Sequence, residues 1–230
     1  MSPSPSTVSI IIPVLDEESG IADTLAAAAV TGAGEILVVD GGSQDRTRAI
    51  AAARGCRVVD APAGRAVQMN AGAAAATGDV LLFLHADTRL PPNGVAELLR
   101  ALSDEGTVGG RFDVHLDGPE PIFRIIETLM NVRSRVTHIA TGDQAIFVRR
   151  SVFEVLGGYA PIPLMEDVEF SARLKRRGRV ACLRSRVHTS VRRWRRHGPW
   201  ATIARMWWLR ARYALGASPE RLAHDYAHIR

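Results

Sequence analysis

His85 and Asp87, two residues apart, close the apolar run VLLFL with an imidazole and a carboxylate. These are groups that ligate cations or exchange protons near neutral pH. Carboxylates recur past the ends of other apolar runs: Asp16 and Glu17 just beyond VSIIIPV, after Pro13, and Asp40 at the end of EILVVD. Further on, Glu166 and Asp167 open MEDVEFSARLKRRG behind the proline-rich turn APIPLM. A helix N-terminus favours ionised carboxylates, so this pair is expected to be charged, with a low pKa.

The elements that must carry these groups follow from periodicity. Short apolar runs at 8–14, 35–40, 57–60 and 79–84 read as strands, and 17–30, 45–55, 65–77 and 91–103 as the helices between them. Strands apolar throughout, alternating with helices, predict an α/β domain with a mostly parallel sheet covered on both faces. Ligands of such sheets lie beyond the carboxyl ends of the strands, where His85, Asp87, Asp40, Asp16 and Glu17 fall. The second half predicts a strand at 107–116, a helix at 121–136, a turn and strand at 141–150, and a helical SVFEVLGG. A helix at 165–178, a strand RVACL and a helix at 199–215 follow. Residues 1–7, rich in Ser and Pro, read as a disordered lead-in.

In VVDGGSQDRT, Gly41 and Gly42 permit a tight turn, and Ser43 and Asp45 are expected to cap the next helix. There is no Walker loop and no GxGxxG, so a dinucleotide fingerprint is absent. The chain of 230 residues is 47% hydrophobic, and no apolar run nears the roughly 18 residues that span a bilayer. The N-terminus shows no signal sequence, and Cys56 and Cys182 make no disulfide framework or metal pair, so cytoplasmic residence is expected. The net charge of +5 is uneven: residues 171–213 hold fourteen Lys or Arg and no Asp or Glu. Such a block suits an anionic partner: nucleic acid, a phosphate-bearing ligand or an acidic membrane.

In order and spacing, IIPVLDEE, VVDGGSQDRT, GRAVQMNAGAAAATGDVLLFLHADT, TGDQAIFVRR and MEDVEFSARL resemble the family-2 glycosyltransferases, over about residues 8–195. The resemblance implies the GT-A fold, with a nucleotide-sugar half (8–104), an acceptor half (105–195) and a helical tail (196–230). It further implies transfer from a nucleoside-diphosphate sugar, UDP favoured, to an acceptor, with inversion. HADT resembles a compact bacterial branch, some of whose members glycosylate carotenoid or other lipid acids. By the same resemblance Pro13, Asp16 and Glu17 lie along the nucleoside, Asp40 on the base or ribose, and Arg65 on the base or diphosphate. Asp143 stands near the sugar, Asp167 is the catalytic base and Glu166 its support. HADT occupies the place of Asp-x-Asp, so His85 and Asp87 are expected to hold Mn²⁺ or Mg²⁺, with His188 as a third donor. SVRRWRRHG is similar to the QxxRW motif of processive members, with Ser190 in place of Gln; Arg193 and Trp194 match it, beside the leaving diphosphate. The rival readings are a sugar nucleotidyltransferase, against which the acids of IIPVLDEESG speak, and a catalytically silent nucleotide- or nucleic-acid-binding module. Nucleic acid is not the expected partner.

The tail PWATIARMWWLRARYALG places Trp200, Ile203, Trp207, Trp208, Ala211 and Leu215 on one helical side, and Arg205 and Arg212 towards the other. A basic, Trp-bearing amphipathic helix is the pattern of a peripheral contact with an anionic membrane, here the inner face of the cell membrane.

Overall fold

A computed structural model describes residues 7–227. Residues 1–6 of the predicted lead-in and 228–230 of the tail lie outside the described residues. Thr7 is already tied down, its backbone N–H donating to Asp79 Oδ2 at 3.0 Å.

One eight-stranded sheet organises the chain, in the order β3-β2-β1-β4-β7-β6-β8-β5. Its first half is the parallel array expected from the sequence. β1 (Val8–Val14) lies between β2 (Glu35–Asp40) and β4 (Val80–Phe83), and β3 (Arg57–Asp60) flanks β2. The helices α1 (Ile21–Ala29), α2 (Thr47–Ala53) and α3 (Arg65–Ala75) make the crossovers.

The second half is mixed. β6 (Thr107–Asp117) and β8 (Arg179–Ser190) run parallel, but β7 (Phe147–Arg149) pairs antiparallel with both β4 and β6. A two-residue strand, β5 (Thr88–Arg89), pairs antiparallel with β8 directly after Asp87. RVACL and the stretch after it form one twelve-residue strand rather than a short strand and a loop. An irregularity in its register with β6, between Phe112 and Asp113, lets the ladder continue past the break.

Alternation along β1 explains its continuous apolar run. Ile10 and Ile12 join a core with Val38, Leu82, Phe112 and Phe147 on one face. Ile11 turns to the other face, onto Met69 and Ala73 of α3. That second face also receives Phe153 of α6 (Arg150–Val155) and Phe170 of α7 (Glu166–Leu174). A helix α4 (Gly94–Leu102) follows β5, and α5 (Pro121–Thr137) follows β6. After β8 come α8 (Arg192–His197), α9 (Pro199–Ala214) and α10 (Pro219–Ala227), of which the sequence reading named only α9. α9 seals a small satellite core, in which Leu209 meets Met165 and Leu222.

Candidate functional site

At the end of β1 the chain turns through Asp16, whose φ of 53° is left-handed. Neighbouring side chains hold that turn: Asp16 N donates to Ser43 Oγ at 3.0 Å, and Gln44 N to Asp16 Oδ1 at 2.8 Å. Glu17 N donates to Thr47 Oγ1 at 2.8 Å. Buried Gln68 of α3 spans the tips of both strands, its Nε2 donating to Val14 O at 2.8 Å and Val39 O at 2.9 Å. The loops after β1 and β2 are thus one stitched unit.

Asp40 is buried at its base. Its carboxylate accepts from Gly42 N at 3.1 Å, Ser43 Oγ at 2.5 Å and Arg48 at 2.9 Å. Burial pushes this carboxyl up, but the Ser43 and Arg48 bonds outweigh it and hold the pKa below the ordinary value. Ser43 therefore closes on Asp40 and not on the next helix, because the buried anion needs donors more than the helix needs a cap. Asp45 does reach that helix, accepting from Thr47 N at 2.9 Å.

Beyond the ends of β1 and β4 lies a small, partly open hollow, lined among others by Pro13, Arg65, His85, Gly142, Glu166 and Asp167. Arg65 opens α3 and donates to Glu166 Oε1 at 3.3 Å. Asp167 accepts from Gly142 N at 2.8 Å and from Val168 N at 2.7 Å. Asp143 Oδ1 stands 3.2 Å from His85 Nδ1. Among the described residues the buried Nε2 of His85 has no hydrogen-bond partner, and it abuts Gly142, where an added Cβ would collide with the ring.

Glu166 departs from the sequence expectation. Burial, at 3% exposure, and the charge of Asp167 push its pKa up, against the pull of Arg65, a backbone N–H and His85. Desolvation exceeds the favourable helix end. Arg65 feels burial in the opposite sense, yet Glu166, Asp167 and Asp143 hold its pKa above the ordinary range. A carboxyl whose folded pKa is raised contributes most stability below its unfolded value, near pH ~4.3, and loses it as pH rises through the folded pKa. The Tm difference between Glu166→Gln and the parent is therefore expected to move in favour of the variant as pH goes from 4 to 7. A constant difference across that range in thermal denaturation would remove this assignment.

Asp87 does not share the first hollow. It lines a second, with about 540 Å³ of empty space, together with Asp23, Asp117, Arg89, Ser190 and Arg192. Asp40 lines neither. The convergence of Asp40, Arg65 and Asp87 on one hollow is thus not what the structure shows; two hollows lie to either side of the His85–Asp87 turn. The expected metal triad is likewise not assembled. Among the described residues the one group of three close donors is His115, Asp117 and His188, which includes neither His85 nor Asp87. His188 sits on β8 opposite His115, and its Nδ1 lies 3.0 Å from Asp117 Oδ1. Strand register directs it there, and the short-strand reading of RVACL could not supply that register.

A cation brought by a diphosphate needs only one or two protein donors. Asp87 fits that need: among the described residues its side chain accepts only a long 3.4 Å bond from Thr88 Oγ1, and its hollow is open.

α8 leans on the first loop, with Arg192 donating to Ser19 Oγ and standing 3.5 Å from Glu17 Oε2. Trp194 lines neither hollow and packs, partly buried, against the main core. The Arg193 side chain lies outside the described residues. On α9, Ile203 packs on the main core instead of joining the Trp face, while Trp200, Trp207, Trp208 and Leu215 are exposed. Arg212 stacks 4.6 Å from the Trp208 ring and pairs with Asp225. The sequence reading did not single out the exposed stripe Ile125, Leu129, Val132 and Val136 on α5. The stripe's 4-3-4 spacing was visible, but the face that α5 buries is a different one, in which Phe123 and Ile126 are joined by polar Glu127, Asn131 and Ser134.

A parallel half-sheet joined to a mixed half, with carboxylates gathered past the strand tips, is the architecture of a GT-A transferase. The family description "Glycosyl transferase family 2" matches residues 9–157, and the chain belongs to that family of glycosyltransferases. It is 30% identical over 189 residues to an uncharacterized glycosyltransferase of Mycobacterium tuberculosis (strain ATCC 25618 / H37Rv), covering 75% of this chain and 69% of the relative. It is 31% identical over 175 residues to an undecaprenyl-phosphate 4-deoxy-4-formamido-L-arabinose transferase of Pseudomonas paraeruginosa (strain DSM 24068 / PA7), covering 68% and 51%. The chain thus spans about half the length of that second relative. Among solved structures, S. aureus TarS 1–349 superposes with a TM-score of 0.67 at 16% identity, over 80% of this chain and 60% of that one. Glucosyl-3-phosphoglycerate synthase from Mycobacterium tuberculosis, in complex with Mn²⁺, UDP and glucosyl-3-phosphoglycerate, gives 0.59 at 23%, over 79% and 70%. At these identities the likeness shows the fold.

Proposed function

We propose that the chain moves a sugar from a UDP-sugar to an acceptor, a hydroxyl or an already ionised oxyanion, in one inverting displacement, with residues 8–195 as the transferase unit. The observation that carries this reading is the hollow joining Arg65, His85, Glu166 and Asp167 beyond the strand tips. UDP is favoured because the structural neighbour's complex holds UDP. The nucleoside runs along Pro13, Asp16 and Glu17, on the loop stitched to Asp40. With both carboxylate oxygens engaged, Asp40 fixes that loop and offers the base or ribose the edge it has ordered.

Asp167 is held by Gly142 N and, where the acceptor is a hydroxyl, takes its proton as the nucleoside diphosphate departs; an ionised acceptor needs no base. Glu166 positions Arg65, whose guanidinium lies in the first hollow and would meet only that part of the sugar diphosphate that reaches past the His85–Asp87 turn from Asp87. Asp143 orients His85 beside the sugar. Arg193, on α8, belongs to a flap on the leaving-group side, anchored by Arg192, with Trp194 packed on the main core at its base. A divalent cation, Mn²⁺ or Mg²⁺, held at Asp87, would neutralise charge on the diphosphate when bound. Metal-dependent release of UDP from UDP-glucose by the full chain tests this function; its absence with every UDP-sugar and metal would refute it.

For the acceptor we favour a lipid-like molecule, a lipid phosphate or a carotenoid-type acid. The undecaprenyl-phosphate relatives support this, as do two exposed apolar surfaces, Ile125, Leu129, Val132 and Val136 on α5 and Trp200, Trp207 and Trp208 on α9. Among the described residues no helix is long and apolar enough to cross a membrane. The proposed location is the cytoplasmic face of the membrane, held by these tryptophans and the basic block. Co-sedimentation with anionic liposomes at low salt is expected for the parent chain, and Trp207→Ala/Trp208→Ala should lose most of it. Equal sedimentation of both proteins would remove the tail from the membrane contact.

A further inference from the structure

β6 carries a second His-x-Asp, His115-Leu116-Asp117, with the spacing of the one at 85–87. The two are placed differently. His85 and Asp87 sit on a turn and line separate hollows, whereas alternation along a strand puts His115 and Asp117 on one face. Strand register adds a third group. His188 of β8 lies directly opposite His115 in the parallel ladder, past its irregularity between Phe112 and Asp113. The ring centroids of His115 and His188 are 4.7 Å apart, and His188 Nδ1 stands 3.0 Å from Asp117 Oδ1. One ligand atom from each of the three lies within 4.8 Å of the other two. All three side chains are partly exposed, so an ion can reach them.

The groups behind these three hold them as ligands are held. Glu127 of α5 is buried, and its Oε2 lies 3.3 Å from His115 Nδ1 while accepting from Leu116 N at 3.0 Å. A buried carboxylate that takes the Nδ1–H leaves Nε2 as the donor atom, the usual arrangement behind a metal-bound imidazole. Asp117 Oδ2 accepts from Arg89 at 2.6 Å, which fixes the carboxylate and turns Oδ1 to His188. The 3.0 Å between Oδ1 and Nδ1 is near the edge of a tetrahedral zinc site, about 3.3 Å for bonds of about 2.1 Å. Arg124 Nη1, 2.8 Å from His115 Nδ1 and 3.1 Å from Nε2, is the group an ion would displace; its Nη2 keeps Leu116 O and Gly118 O. The charges of Arg89 and Arg124 oppose a cation and those of Asp117 and Glu127 favour it, so the affinity is moderate. Two imidazoles and one carboxylate suit Zn²⁺, whereas Mg²⁺ prefers oxygen throughout.

We propose that His115, Asp117 and His188 form a site for Zn²⁺ or a similar late transition-metal ion, separate from the cation at Asp87, that ties β6 to β8. The ion clips the last pairs of that ladder, those beyond its irregularity. Through Arg89 on Asp117 it also holds β5, the short strand that follows Asp87 directly. Asp117 lines the second hollow and the two imidazoles do not, so the clip stiffens one wall of that hollow without entering it. The proposal stands apart from the glycosyl-transfer reading, because neither sugar nor nucleotide takes part in it.

The test titrates the full, chelator-stripped chain with Zn²⁺ in a calorimeter, with no nucleotide present. A single Zn²⁺ per chain is expected to bind, with a rise in Tm of several degrees. His115→Asn, Asp117→Asn and His188→Asn should each weaken that binding about tenfold or more, whereas Asp87→Ala should bind as the parent does. Zinc-edge X-ray absorption of the loaded parent should show two imidazole nitrogens, and it decides the matter for any variant that does not fold. The proposal is overturned if the parent binds no Zn²⁺, if any of the three folded variants binds it as the parent does, or if the spectrum lacks the imidazoles. Loss of the ion in Asp87→Ala, or binding only when UDP is added, would make it the donor's cation and also overturn the proposal. Failure of the transfer reading shows separately, as a chain that binds Zn²⁺ through these three residues and releases no UDP from any UDP-sugar.

Discussion

Asp87→Ala is expected to leave a folded protein with at least about 10³-fold lower kcat/KM for the nucleotide sugar and no response to added Mn²⁺. The size follows from the role. A cation on the diphosphate stabilises developing charge by several kcal/mol, and about 4 kcal/mol is about a thousandfold in rate. The fold should survive because among the described residues the carboxylate accepts one long bond, from Thr88 Oγ1, and it lines an open hollow. Its backbone role is kept by alanine, since Ser190 N donates to the Asp87 carbonyl. A Mn²⁺ titration of donor turnover in parent and variant reads the effect directly. Undiminished, metal-responsive turnover in the variant would strip Asp87 of its role.

The second large effect concerns the proton. Asp167→Asn should lower kcat with a hydroxyl acceptor by about 10²–10⁴-fold, the usual contribution of a general base, and leave the acceptor KM near its parent value. The amide oxygen of asparagine can still accept from Gly142 N, so the turn above the hollow keeps its geometry while the base is lost. An acceptor whose nucleophile is already an anion should be spared, since it has no proton to give up. Comparing the two acceptor types in single-turnover assays separates loss of a base from loss of positioning. Equal losses with both would assign Asp167 to positioning, and no loss with either would take it out of the mechanism.

The parallel half of the fold was legible because β1, β2 and β4 are apolar on both faces and end in polar punctuation. Alternation of Ile10, Ile11 and Ile12 between two cores is what such a run encodes. Motif order supplied the family, and Arg65, His85, Asp143, Glu166 and Asp167 do come together. Three features were not legible, each for a nonlocal reason. The position of His188 depends on the register of β8 against β6 and β5, which a two-residue strand and an irregular ladder determine. The raised pKa of Glu166 depends on burial beneath elements distant in the chain, which a local helix-end argument omits. Ile203 was assigned to the tail's Trp face by angle alone, whereas tertiary packing draws it onto the core.

The most direct measurement is the melting temperature of the full chain with UDP-, GDP- and dTDP-sugars, each with and without Mn²⁺. A ligand at a hundred times its Kd stabilises by about 2.7 kcal/mol, about 5–10 °C for a chain of this size. The account predicts such a rise for a UDP-sugar with Mn²⁺ and a much smaller one without the metal. No rise with any nucleotide sugar, metal present or absent, would contradict it.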